Sequence, residues 1–175
     1  MSAQLGQSAR VLGVGIGAPI AWVVLLSAWF GAALFFSAAA APALFRVLPS
    51  RTLAGAVVGR TLPVVLVSGT VVGVIVALLA WRATLSSRVR MTVALSAIGM
   101  AAMCAIAQFV IGGRIARLRA SLGTTLESLP PGDPARTEFG RLHGLSVASL
   151  GLAMLLAIVA LGALASYLSS TSPRD

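Results

Sequence analysis

Residues 61–81 read TLPVVLVSGTVVGVIVALLAW and contain neither a charged side chain nor a histidine over 21 positions. Three further stretches, 11–45, 91–113 and 144–173, share this property and are 35, 23 and 30 residues long. About 20 apolar residues in a helix cross the roughly 30 Å hydrocarbon layer of a bilayer, so each stretch is long enough to span it. None shows the alternation of apolar and polar residues that a membrane barrel strand requires. The sequence therefore predicts an all-α integral membrane protein, a bundle of four transmembrane helices.

Composition supports a membrane protein and argues against a nucleic-acid-binding one. Only 10% of the 175 residues are charged and the mean hydropathy is +1.00, whereas about 25% are charged in a typical soluble domain. The net charge of +9 comes from 13 arginines against four acidic residues. Most of these arginines flank the apolar stretches, a placement that suits lipid headgroups and membrane topology. We therefore predict the lipid bilayer and its anionic headgroups as partners, and no nucleic acid.

Turn and capping signals set the expected boundaries. Residues 1–18 form a flexible or partly helical lead-in, and 19–168 form the membrane domain, with spans near 20–45, 61–81, 91–113 and 142–168. A short tail, 169–175, follows. Pro49-Ser50 predicts a turn and an N-cap, which would start a short interfacial helix, Arg51–Arg60, before the second span. Asp133-Pro134 is the expected start of the last helix.

Four spans would place both termini on one side of the membrane and the loops 46–60 and 114–141 on the other. Eight arginines belong to the loop side and five to the terminal side. Because cytoplasmic loops carry the excess of basic residues, we expect the long loops in the cytoplasm and both termini outside. In a bacterial cell the location would be the inner membrane.

Because successive spans cross the membrane in opposite directions, many of the polar side chains lie together at the loop-side face. Ionisable groups at the edge of a membrane domain are candidates for a functional site, although arginines that flank a span often only anchor it at the interface. Glu138 and Arg141 are three residues apart and could pair on a helix. The predicted ligand-binding residues are Arg46, Arg60, Arg114, Glu138, Arg141, His143 and Ser146.

Catalytic and metal-binding patterns are missing from the sequence. It contains no Ser-His-Asp set, no paired carboxylates, no phosphate-binding loop and no HExxH motif. We therefore predict no catalytic residue, no metal ligand and no cofactor. Three glycine pairs, 55/59, 69/73 and 140/144, have the spacing that allows close approach between membrane helices.

Two motifs in this order resemble the transmembrane protein 205-like family of four-span membrane proteins. The first is APALFRVLP at 41–49, followed by GRTLP at 59–63, and the second is FGRLHGLS at 139–146. The likeness extends from about Trp29 to Gly151 and implies the same four-span fold, without a known activity. The motif positions it marks are Arg46, Arg60, Arg114, His143 and Ser146.

A more distant likeness, through Trp29-x-Gly31 and Pro42-x-Leu44-Phe45, is to membrane proteins of the copper-resistance D and protoporphyrinogen oxidase types. It implies haem or copper as the alternative cofactor. His143 is the only histidine, so ligation of one haem by two histidines of this chain is excluded.

Three functions from different classes remain open at this point. The leading hypothesis is a non-enzymatic protein whose Arg/His cluster binds an anionic headgroup, a small anion or an acidic segment of a partner. Because histidine changes charge between about pH 5 and 8, His143 would add pH sensitivity. The alternatives are a haem- or metal-linked redox or transport subunit and a structural subunit of a membrane complex or homo-oligomer.

Overall fold

Six α-helices and two π-helical segments make up the described part of the chain. The computed structural model describes residues 2–122 and 128–171, with side chains from residue 17 onward. The elements are α1 (Ser2–Phe35), a first π segment (Phe36–Ala40), α2 (Ala41–Val47), α3 (Arg51–Arg82), α4 (Ser87–Ala105), a second π segment (Ile106–Gly112), α5 (Gly113–Ser121) and α6 (Pro134–Thr171). No β-strand occurs among these residues. The predicted all-α fold class is confirmed.

Four helical segments are long and apolar enough to cross a bilayer. They cover Gly17–Val47, Arg51–Arg82, Ser87–Ser121 and Pro134–Thr171. Large apolar side chains, among them Val64 on α3 and Phe109 in the second π segment, are exposed on the outside of the bundle. Such a surface suits hydrocarbon and would be unfavourable in water. The chain is thus a multi-pass integral membrane protein.

Side-chain caps start α3 and α6 where the sequence predicts them. The Ser50 hydroxyl accepts a hydrogen bond from the Leu53 N–H at 3.1 Å, and the Asp133 carboxylate accepts one from the Ala135 N–H at 2.8 Å. Each cap satisfies a backbone donor that the first turn of a helix leaves free. Gly132, with φ of 92°, makes the turn before Asp133 in a conformation that suits glycine.

The segment expected as a separate interfacial helix is continuous with the second span. α3 runs from Arg51 to Arg82 without a break and includes Pro63. No helix-breaking turn separates residues 51–60 from the span, and membrane helices tolerate proline where neighbouring groups replace the lost hydrogen bond. The helix therefore extends from the interface into the membrane as one rigid element.

The third span lies at the centre of the bundle. In the most apolar 18-residue stretch of this span, 44% is buried inside the structure, compared with 22–28% for the corresponding stretches of the other three spans. Alanine, serine and glycine occupy much of the contact surface of α4, which packs against both α3 and α6. Small residues allow membrane helices to approach closely, since packing rather than hydrophobic transfer holds them together.

Gly69 and Gly73 make the closest contacts of α3. A Cβ at Gly69 would lie 2.5 Å from Trp29 Nε1 and 2.7 Å from Cys104 Sγ, and one at Gly73 would lie 2.7 Å from the carbonyl oxygen of Ala97. The vacant volume lets the Trp29 indole N–H donate to the Val65 carbonyl at 2.9 Å. The close approach predicted for the 69/73 pair is confirmed.

The other two glycine pairs behave differently. Gly55 and Gly59 face an arginine side chain and not another helix backbone. A Cβ at Gly140 or Gly144 would have no other atom within 4 Å apart from its local backbone. The 140/144 pair therefore makes no close helix contact within the described bundle, since this face of α6 points outward.

Candidate functional site

A cleft of about 570 Å³ opens between three helical elements at the loop-side end of the bundle. Its walls are the first half of α3, the second π segment with α5, and the beginning of α6, and Phe45 of α2 adds to the lining. We refer to it as the cleft. Its charged and polar lining residues are Arg51, Thr52, Gln108, Arg119, Arg136, His143 and Ser146.

Helical periodicity explains which residues reach the cleft. On α6 the lining positions are 136, 139, 143 and 146, and on α5 with its preceding π segment they are 107, 108, 112, 115, 116 and 119. Residues three and four apart share one face of a helix. Each element therefore contributes a single stripe, with an arginine at the outer end and smaller or apolar residues at the inner end.

The second π segment forms part of the inner wall. Ala107, Gln108 and Gly112 of this segment line the cleft. A π-helical turn contains an extra residue compared with an α-helical turn, which changes the direction of the following side chains. Gln108 is half-buried and faces the cleft, whereas the next residue, Phe109, is exposed on the outside.

Arg119 is held across the cleft by contacts with both neighbouring helices. Its guanidinium carbon lies 5.1 Å from the centre of the Phe139 ring on α6, a cation–π arrangement. On the α3 side, its Nη2 and Nη1 atoms would be 3.5 and 3.8 Å from a Cβ at Gly55 and Gly59, respectively. The two glycines thus leave room for the guanidinium group.

His143 extends this arrangement along α6. Its ring stacks on that of Phe139, with centroids 6.1 Å apart and planes 8° from parallel. Arg119, Phe139 and His143 therefore form a connected row of a cation, an aromatic ring and an imidazole. The row lies along one side of the cleft.

Positive charge in the cleft has no acidic counterpart in the described lining. The lining residues include Arg51, Arg119 and Arg136, and no Asp or Glu among those described. Arg136 donates from Nη1 to the carbonyl of Leu129 at 2.9 Å, which orients its side chain but leaves its charge uncompensated. An anion could enter without displacing a carboxylate.

Two of the seven residues predicted from sequence, His143 and Ser146, line the cleft. The other five, Arg46, Arg60, Arg114, Glu138 and Arg141, are exposed at the same end of the bundle but outside its lining. In the described part of the chain, no ion pair joins Glu138 and Arg141.

The predicted site did not include Arg51, Arg119 or Arg136, although helical phase could have found Arg136. Arg136 precedes His143 by seven residues and shares its face, whereas Arg141 precedes it by two, about 200° around the helix. Counting in steps of three and four from His143 would have selected Arg136. On the other wall, the π segment before α5 changes the direction of the side chains that follow it. Counting in steps of three and four along that wall therefore does not identify Arg119 directly.

A metal centre made by this chain alone has few candidate donors. Among the described residues, no group of three or more His, Cys, Asp or Glu side chains lies close together. Cys104 is buried between α3 and α1, away from the cleft. His143 is the one imidazole that could contribute a ligand at the cleft.

Comparison with known proteins gives one family. A family model described as Domain of unknown function (DUF4149) matches residues 24–123. The matched range includes the α3 and α5 walls of the cleft and ends before α6, which carries His143. No curated protein and no solved structure matches.

Proposed function

We propose that this chain, which belongs to the DUF4149 family, is an integral membrane protein that binds an anionic group in the cleft. The observation that carries this proposal is the convergence of Arg51, Arg119 and Arg136 on one cleft whose described lining has no acidic residue. Uncompensated guanidinium groups at a partly enclosed site attract phosphate or carboxylate.

Arg119 would make the principal contact. A guanidinium group has five N–H donors in a planar fork, which matches two oxygens of a phosphate or carboxylate. Phe139 and the Gly55/Gly59 face hold this fork in place, so less side-chain freedom would be lost on binding. Arg136 and Arg51 would add charge at the mouth of the cleft.

His143 would make binding depend on pH. The charged groups that face the same cleft are Arg51 on α3, Arg119 on α5 and Arg136 on α6. Protonation of His143 would add one positive charge to this set and would therefore favour anion binding.

We also propose that the cleft opens to the cytoplasmic side. The arginine excess of the loops, eight against five, supports this orientation through the positive-inside rule. The cytoplasmic leaflet also carries much of the anionic lipid that such a cleft would bind.

Kinship with the transmembrane protein 205-like family is part of the proposal. Phe45 of the first motif lines the same cleft as Phe139, His143 and Ser146 of the second. Two motifs that are nearly a hundred residues apart in sequence thus contribute to one site. This convergence supports a common ligand-binding role for both motifs. The likeness to copper-resistance D proteins remains a prediction.

Native mass spectrometry of the purified protein tests the proposed function. The protein is offered an equimolar mixture of phosphatidylglycerol and zwitterionic phosphatidylcholine with matched acyl chains, and the bound lipid is counted. Both lipids carry a phosphodiester, but the choline ammonium of phosphatidylcholine would be repelled by the arginines, so we expect a preference for phosphatidylglycerol of about tenfold. The preference should weaken as salt rises. Equal binding of the two lipids would reject the proposal.

A further inference from the structure

The floor of the cleft carries two hydrogen-bonding side chains that no residue of the described chain satisfies. Ser146 is only 8% exposed, and neither its hydroxyl nor the Gln108 amide has a hydrogen-bond partner within the described residues. Both residues lie in the part of the bundle that enters the membrane. Polar groups at this depth are unfavourable unless they find a partner.

Ser146 differs in this respect from three other serines of the spans, although buried Ser96 on α4 also has no partner among the described residues. Ser37, Ser149 and Ser166 each donate to the carbonyl four residues earlier, at 2.8–2.9 Å. This local bond is the usual way for a serine in a membrane helix to satisfy its hydroxyl. Ser146 does not use it and lines the cleft instead.

These two groups lie below the charged row. On α6, Ser146 follows His143, the inner end of the row, by three residues, about 4.5 Å along the helix axis, and Phe139 by seven, about 10 Å. Gln108 precedes Arg119 by 11 residues on the opposite wall, about 16 Å along the axis. A ligand longer than a phosphate ion could contact both Arg119 and the donors at this inner level.

We infer that the ligand is an ester-linked anionic glycerolipid, with its phosphate at the arginines and an ester carbonyl at Ser146 and Gln108. This inference rests on the proposed function and names the class of ligand. Hydroxyl and amide N–H groups can both donate to a carbonyl oxygen. The glycerol backbone places neutral carbonyls beneath a charged phosphate, in the same order as the donors along the cleft.

The rest of the floor suits the hydrocarbon part of such a lipid. Leu62, Leu66 and Ala107 line the inner end of the cleft. Pockets for amphiphilic ligands are typically mostly apolar with a few well-placed polar groups. The acyl chains would lie against these residues along the helices.

Comparison of ester-linked with ether-linked phosphatidylglycerol of equal chain length tests the inference, because the ether lipid keeps the phosphate and lacks the carbonyls. One to two neutral hydrogen bonds predict about tenfold tighter binding of the ester lipid. Ser146→Ala and, separately, Gln108→Leu should each reduce this ratio to about threefold or less, and the double variant should bring it close to one. Ser149→Ala is the matched control, since that hydroxyl is satisfied by Leu145, and should leave the ratio unchanged.

The outcomes separate the inference from the proposed function. If wild-type protein binds ester and ether lipids equally well but prefers both to phosphatidylcholine, the carbonyl site is rejected and anion binding stands. An ester preference that is undiminished in both variants also rejects the site. If neither anionic lipid binds better than phosphatidylcholine, the proposed function fails as well. Thermal melting of each variant shows whether it is folded. Because two variants are tested independently, a folding defect in one of them does not decide the result.

Discussion

Replacing Arg119 and Arg136 together by glutamine is expected to weaken phosphatidylglycerol binding about 100-fold, since each charge-assisted hydrogen bond contributes roughly tenfold or more. Arg119 spans the cleft between Phe139 and the two glycines of α3. Glutamine retains hydrogen-bonding capacity but lacks the charge and the planar fork of the guanidinium group. Native mass spectrometry or a lipid-displacement titration measures the change. Arg51 would remain at the mouth and retain some binding.

A matched control separates the cleft from general surface charge. Arg82→Gln with Arg88→Gln removes the same charge at the opposite end of α3 and α4, where both side chains are exposed. This control should bind phosphatidylglycerol within about twofold of the wild-type protein, because exposed charges at that distance are screened by salt. Equal losses in both double variants would show that net charge alone attracts the lipid, and would contradict a specific cleft.

Gly69→Leu should destabilise the bundle by about 3 kcal/mol or more, since it forces a side chain into a fully packed contact. Its Cβ alone would be 2.5 Å from Trp29 Nε1. The Trp29 ring would have to move and would lose its hydrogen bond to the Val65 carbonyl. Unfolding in mixed micelles, followed as the fraction of sodium dodecyl sulfate rises, measures the free-energy difference.

Gly151→Leu is the appropriate comparison for that experiment. Gly151 is exposed on α6, and a Cβ there would have no other atom within 4 Å apart from its local backbone. Leucine is also the better helix former of the two, so stability should be unchanged or slightly higher. A Gly69→Leu protein as stable as Gly151→Leu would mean that α1 and α3 do not pack through Trp29 as the structure has them.

Hydrophobic length predicted the fold because one physical requirement dominates in a membrane. The apolar side chains of residues 61–81 would be unfavourable in water, and backbone N–H and C=O groups cannot stay unpaired in lipid. A spanning helix meets both requirements. The caps at Ser50 and Asp133 were equally accessible, since each depends on a local side-chain bond. Whether residues 51–60 form a separate helix was not determined by length, and there the structure differs.

The composition of the cleft was harder to predict because it depends on rotation of the helices about their axes. Sequence placed His143 and the arginines at one membrane face, but it did not show that Arg119 lines the cleft while Arg60 and Arg114 lie outside its lining. The π segment at Ile106–Gly112 changes the phase of α5 relative to α4, and its position has no simple sequence signal. Gln108 enters the site for the same reason.

Photo-crosslinking in a bilayer tests the central claim most directly. The protein is reconstituted with phosphatidylglycerol that carries a photoreactive group near its glycerol backbone, irradiated, digested and mapped by mass spectrometry. We expect adducts that are competed by unlabelled phosphatidylglycerol on the cleft walls, at 51–66, 107–119 and 136–146. Competable adducts confined to the opposite end, at 82–90, would contradict the account.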